Sequence, residues 1–267
     1  MSQEGTHPAV QVELATAATP AAPPASSAPP TASLAEACGR GNYDDVVAWM
    51  RRLAPARPDP EEPADVSASG FSNSADAEGR TAFHWCVAQR QFNLAERLLT
   101  PPTSCMAATT DREGCTSLIS AVSAQAPLSV VSSIISASSG PEYINAQDGV
   151  SGNTALHAAA SRGSKDVVLA LLAAGANPLI QSRNGQSALH KTIPRGATEV
   201  ADTLISHVRK TDLKNTKKFV NLQDVNGDTA LHHCSAENNR DFGEALLRNG
   251  ADRIIKNKKG QEFWQIS

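Results

Sequence analysis

The chain has 267 residues, 24 Lys plus Arg against 27 Asp plus Glu, and a net charge of −3 at pH 7. That balance is too small to argue for a nucleic-acid backbone or another strongly anionic partner, and no apolar run approaches the roughly 20 residues that span a bilayer. Aromatic residues make up only 4%, too few for a sandwich or barrel core, so the Ala- and Leu-rich remainder predicts close-packed helices in a soluble chain.

Residues 1–32 contain no Lys or Arg and include "ATPAAPPASSAPPTAS". This stretch cannot bury enough apolar surface to offset the entropy of ordering, which predicts a disordered tail. It also lacks the basic start of a secretory signal and the arginines of a mitochondrial one. Cytoplasm, with access to the nucleus, is the expected compartment. Five cysteines, at 38, 86, 105, 115 and 234, are odd in number and include no CxxC. They read as reduced thiols rather than a disulfide framework or a zinc site.

From residue 33 onward the chain repeats itself. "SLAEACGRGNYDDVVAWM" opens the series at Ser33. "GRTAFHWCV" follows at Gly79, "GCTSLISAV" at Gly114, "GNTALHAAA" at Gly152, "GQSALHKTI" at Gly185 and "GDTALHHCS" at Gly227. The glycines are 35, 38, 33 and 42 residues apart, a period near 33 lengthened by insertions. Units are expected near 33–53, 76–100, 111–140, 148–178, 181–206, 224–253 and 257–267, the last incomplete. Two stretches, 54–75 and 206–220, read as flexible insertions; the second carries five basic residues and one Asp and reads as a solvated loop or an extended second helix, with a basic contact for an acidic partner as the alternative.

The fourth unit shows why each repeat folds as two short helices. Thr154 can cap the free N–H groups of the first helix. Leu156, Ala159 and Ala160 give that helix a narrow, small-residue face, and Gly163 ends it. Val167, Val168, Leu171 and Leu172 form a broader stripe on the second helix, and Gly175 stops it. Neither helix can bury its apolar face within one unit, but stacked neighbours can.

The period and the Thr-Ala-Leu-His start resemble the ankyrin repeat. The resemblance implies an all-α solenoid of about seven helix-turn-helix repeats that binds proteins. In such an array His84, His157, His190 and His232 stand in a row, one repeat apart, as hydrogen-bonding residues rather than a metal or catalytic cluster. No phosphate-binding loop, HExxH or GxSxG motif is present. The expectation is therefore a monomeric binding protein, not an enzyme, with no cofactor or metal and no nucleic-acid or membrane contact.

The expected binding face combines the turn tips with the outward side of each first helix. Positions four and eight after the Thr or Ser give Trp85 and Gln89, Arg162, Lys191 and Arg195. Trp85 reads either as an anchor or as packing against its neighbour. The tips add Asp76, Glu78, Asp111 and Glu113, and several aspartates are expected to shape their own turns.

"DAEGRTAFHWCV", "ALHKTI" and "NLQDVNGDTALHHC…LLRNGADRIIKNKKGQ" resemble the gankyrin family of ankyrin chaperones across residues 33–267. That resemblance implies that the concave face holds the C-terminal domain of an AAA ATPase subunit of the 19S proteasome regulatory particle during assembly. "INAQDGVSGNTALH" is also similar to IκB-like regulators, and a generic ankyrin adaptor of a transcription or signalling complex is the second reading.

Overall fold

A computed structural model of the chain describes residues 33–53, 75–100, 109–137 and 140–266. The expected tail, the insertion 54–75 apart from Ala75, and Cys105 lie outside those residues. Antiparallel helix pairs follow one another along the chain. They are α1 (Leu34–Gly39) with α2 (Tyr43–Leu53), α3 (Ala82–Ala88) with α4 (Phe92–Leu99), and α5 (Ser117–Ser123) with α6 (Leu128–Ala137). A single turn, α7 (Pro141–Ile144), then precedes α8 (Ala155–Arg162) with α9 (Lys165–Ala173) and α10 (Ala188–Thr192) with α11 (Thr198–Thr211). After α12 (Leu213–Val220), α13 (Ala230–Ala236) pairs with α14 (Arg240–Arg248), and a 3-10 turn at Phe263–Gln265 begins the seventh unit.

The stripes read from the sequence form the core. Leu156, Ala159 and Ala160 of α8 are buried, as are Val167, Val168, Leu171 and Leu172 of α9. First helices stack on first helices and second on second, α8 against both α5 and α10, and α9 against both α6 and α11. Each unit thereby completes the core of the next. Pro194 cuts α10 to five residues because it cannot donate to the helix ladder; the chain continues as a 3-10 turn, Ile193–Arg195, to Gly196 at φ 66°.

One expectation is corrected. Residues 206–220 are not a flexible insertion but the end of α11 and the whole of α12. Asp212 caps α12 by accepting from Lys214 N at 2.9 Å and Asn215 N at 3.3 Å, and Phe219 and Val220 bury its inner side. The extra turn α7 likewise has a packing reason. Ile119 occupies the histidine position of the third unit, and there Tyr143 of α7 reaches in: its hydroxyl lies 2.7 Å from Ser117 Oγ and accepts from Leu118 N at 3.2 Å.

Between the pairs, the chain folds into β-turn fingers. Isolated bridges close four of them: Ala75 with Thr81, Thr110 with Thr116, Gln181 with Ser187 and Gln223 with Thr229. Each finger bonds to its predecessor through one backbone hydrogen bond near the tip. Arg112 N donates to Glu78 O (3.0 Å), Gly149 N to Glu113 O (2.7 Å) and Arg183 N to Ser151 O (2.9 Å). Val225 N to Asn184 O (3.0 Å) and Lys258 N to Asn226 O (2.9 Å) continue the row. Glycine is required where the fingers meet: at Gly185, φ is +70° and a Cβ would lie 2.7 Å from Val225 N.

Candidate functional site

Four histidines tie their first helices to their own caps, and three of them, His157, His190 and His232, also reach the next finger. The backbone N–H of Thr81, Thr154, Ser187 and Thr229 donates to Nδ1 of the histidine three residues on, at 3.3, 3.2, 3.2 and 3.2 Å. Because Nδ1 accepts, the proton sits on Nε2. That nitrogen points across the repeat boundary at a carbonyl: His157 to Gln186 at 3.0 Å, His190 to Asp228 at 3.4 Å and His232 to Gln261 at 3.2 Å. Burial lowers the pKa of His157 and His190 to about 4, with a nearby His233 ring adding to the effect at His190. These histidines are structural struts, and His157 and His190 stay neutral. Among the described residues no three His, Cys, Asp or Glu side chains form a group able to hold a metal ion.

The finger aspartates shape their own turns. Asp76 Oδ1 accepts from Glu78 N and Arg80 N, both at 2.9 Å. Asp111 Oδ1 accepts from Glu113 N (3.0 Å) and Cys115 N (2.8 Å), and its other oxygen is 3.6 Å from Arg80 Nε. Burial would raise the pKa of Asp148, but hydrogen bonds from Ser151, Asn153 and Val150 outweigh it and hold the carboxyl below its ordinary range. Glu78 and Glu113 differ: each is exposed, and its carbonyl accepts from the backbone of the next finger.

Of the helix residues placed on the binding face, several are engaged within the array. Trp85 is half-buried against the core, its Nε1 donating to Asp76 Oδ2 at 2.6 Å and its ring 5.1 Å from the Arg80 guanidinium. Gln89 Nε2 donates to Ala35 O at 2.6 Å and joins the first two units. Arg162 Nη2 donates to Ser123 O at 2.7 Å, at the open end of α5. Lys191 Nζ reaches Gln186 Oε1 at 2.8 Å; burial lowers its pKa, and the charge of Asp148 opposes that shift. Arg195 is exposed, with its stem against Gly163.

The structure brings three of these residues together. Glu113, Arg162 and Lys191 line one groove of about 440 Å³ between the fingers and the first helices, with Asp148, Val150 and Ser161. Trp85, Gln89, Asp76 and Glu78 lie outside it, around the second unit. The sequence reading missed the two finger-tip valines, Val150 (66% exposed) and Val225 (48% exposed). The signal was present: an apolar residue at a tip, where the turn itself asks for none. Along the row, the tips run from Glu78 through Arg112 and Glu113 to Val150, Arg183 and Val225, and end at Lys258 and Lys259. The face is acidic at one end, apolar-punctuated in the middle and basic at the other.

The family model described as "Ankyrin repeats (3 copies)" matches residues 128–217 and 163–257. The chain has the fold of an ankyrin-repeat array. Among curated proteins, the ankyrin region is similar to the B-cell lymphoma 3 protein homolog of Mus musculus, 28% identical over 179 residues, covering 67% of this chain and 37% of that one. The transient receptor potential cation channel subfamily A member 1 of Homo sapiens is 35% identical over 109 residues, 41% of this chain and 9% of the channel. The chain thus spans well under half the length of these relatives. Among solved structures, the ankyrin repeat domain of Bcl-3, a unique member of the IκB protein family, has a TM-score of 0.62 at 21% identity, covering 88% of this chain and 92% of that one. The human ASB11 ankyrin repeat domain gives 0.64 at 16% identity, covering 88% and 91%. Ankyrin repeats bind protein partners, and this array is a protein-binding module. Among the described residues no helix is long and apolar enough to cross a membrane.

Proposed function

We propose that the chain is a non-enzymatic adaptor that grips a folded partner along its finger tips and the groove beside them. The observation that carries this reading is the tip row. Its backbone is held unit to unit by hydrogen bonds, while Glu113, Val150, Arg183 and Val225 are exposed along it, Arg183 with its Nη1 donating to Val150 O at 3.1 Å. A pre-ordered surface of mixed charge with apolar points suits a protein partner, since little entropy is lost on docking and the charges set orientation. An IκB-like role, regulating a transcription or signalling complex in cytoplasm or nucleus, is supported by the similarity to the Bcl-3 homolog over 67% of the chain.

The second reading is the assembly chaperone of a 19S ATPase subunit. It is favoured by the Gly79-Arg80-Thr81 and His190-Lys191 motifs of the gankyrin-like resemblance. Affinity capture with the full chain, alongside a Val150→Asp/Val225→Asp variant, separates the two. Recovery of transcription-factor or signalling subunits, lost in the variant, is the expected result. Regulatory-particle ATPase subunits without the 20S core would replace the adaptor reading with the chaperone. Equal capture by both proteins would sink the tip row as the binding face.

A further inference from the structure

The path from the fifth to the sixth unit holds a second surface. Gly185 and Gly227 are 42 residues apart, against 33 for the preceding pair, and the added length contains α12. The finger row crosses this point undisturbed: Val225 N donates to Asn184 O at 3.0 Å and Gln181 Nε2 to Gln223 O at 2.9 Å. Stacking of units five and six through their fingers therefore does not depend on the extra helix. It lies on the other side of the array, beside the second helices, where Arg209 reaches Asn249 and Asn221 Nδ2 donates to Gly250 O at 3.1 Å.

α12 buries Thr216, Phe219 and Val220 and leaves Leu213, Lys214, Lys217 and Lys218 exposed, Leu213 by 73%. The acid of this segment, Asp212, is occupied by the cap. None of the three lysines of α12, nor Lys210 before them, pairs with a described acidic residue, whereas Arg80, Lys165 and Lys256 do. The helix dipole accounts for Lys217 and Lys218 in the last turn, but it disfavours Lys214 in the first turn. The Lys214–Lys218 spacing of four also sets like charges side by side. Folding alone gives no reason for this choice. Next to Lys217, a depression of about 590 Å³ is floored by Leu247 and Ala251 and flanked by Arg253 and by Asp252, whose Oδ1 accepts from Ile254 N at 3.1 Å.

We propose that α12 and the last turn of α11 form a second docking surface, separate from the finger row, for an acidic protein segment whose apolar residues seat on Leu213 and in the depression beside Lys217. Charge complementarity selects the acid. The exposed leucine among the lysines, and the lack of an exposed aromatic side chain on α12 to stack on a base, select protein over nucleic acid.

The test uses the full chain and fluorescence anisotropy with a labelled peptide of roughly twelve residues, Glu-Glu-Leu-Asp repeated, and a single-stranded oligonucleotide of similar charge. Wild-type protein and the Val150→Asp/Val225→Asp variant should bind the peptide alike. The Lys214→Gln/Lys217→Gln/Lys218→Gln variant and Leu213→Ser should bind it about tenfold more weakly. If the triple variant melts below wild type, the single change Lys214→Gln, expected to weaken binding about threefold, decides. No binding by wild type, equal binding by the α12 variants, or tighter binding of the oligonucleotide would overturn the proposal.

Discussion

The indole N–H of Trp85 donates to Asp76 Oδ2 across 2.6 Å, joining the finger of the second unit to the helix that follows it. The bond fixes what each residue can do. Trp85 holds the turn in place, and Asp76 has one oxygen on the indole and the other on backbone N–H groups. Trp85→Phe keeps a ring against the core but leaves that carboxylate oxygen without its donor. Urea unfolding should show a loss of about 1–2 kcal/mol. An unchanged midpoint would mean that the bond carries no weight and that the indole is available to a partner.

Arg195→Glu is the contrasting change. The side chain is exposed, so stability should shift by no more than about 0.5 kcal/mol. Arg162→Glu removes the bond to Ser123 O and should cost about 1 kcal/mol. Thermal melts of the two single variants, compared side by side, check the order. A larger loss in Arg195→Glu would contradict it.

Gly185→Ala and Gly175→Ala separate strain from collision. Both glycines have positive φ, +70° and +92°, but a Cβ at Gly175 meets nothing within 4 Å. The Gly175 change should cost about 1 kcal/mol. At Gly185 the methyl also meets the backbone of Val225 and Asp224, raising the cost to about 3 kcal/mol. Amide exchange should speed up at Val225 in the Gly185 variant and stay slow there in the other.

Acid should loosen the array before its carboxylates are neutralised. The unfolded chain takes up protons on its histidines near pH 6.5, while folded His157 and His190 wait until about 4. Across that window the unfolded state binds more protons, so stability is full above the unfolded value and falls as pH drops toward 4. At pH 5 the loss should be on the order of 2 kcal/mol for each of the two histidines relative to pH 7.5. Asp148 and Asp224, both held below their ordinary value of 3.8, titrate later. Denaturant midpoints at the two pH values make the comparison, and identical midpoints would remove the struts from the account.

The repeat itself was legible because its signals are local: a capping Thr or Ser, a histidine three residues on, and apolar stripes at helical spacing. What escaped depended on contacts across units or on polar helices. α12 reads as a loop because three lysines and an asparagine mask a short apolar side made of Thr216, Phe219 and Val220. Its cap, Asp212 before Leu213, was the available sign. The commitment of Gln89 to Ala35 and of Arg162 to Ser123 spans 54 and 39 residues. No periodicity reports a bond of that reach. The valines at 150 and 225 are visible in the sequence, but charge and tryptophan are the stronger signals of a binding face.

The hydrogen-bonded finger row also determines where this chain can grow. Every link in it joins residues at fixed places near two tips, so an extra residue between them must be absorbed within a single turn, as Asp148–Asn153 absorbs one. On the far side, the chain leaving a second helix meets no such rule, and α12 entered there without moving a finger. Added length is thus accommodated at one margin of the array, while the opposite margin keeps the ruler by which its second to seventh units are spaced.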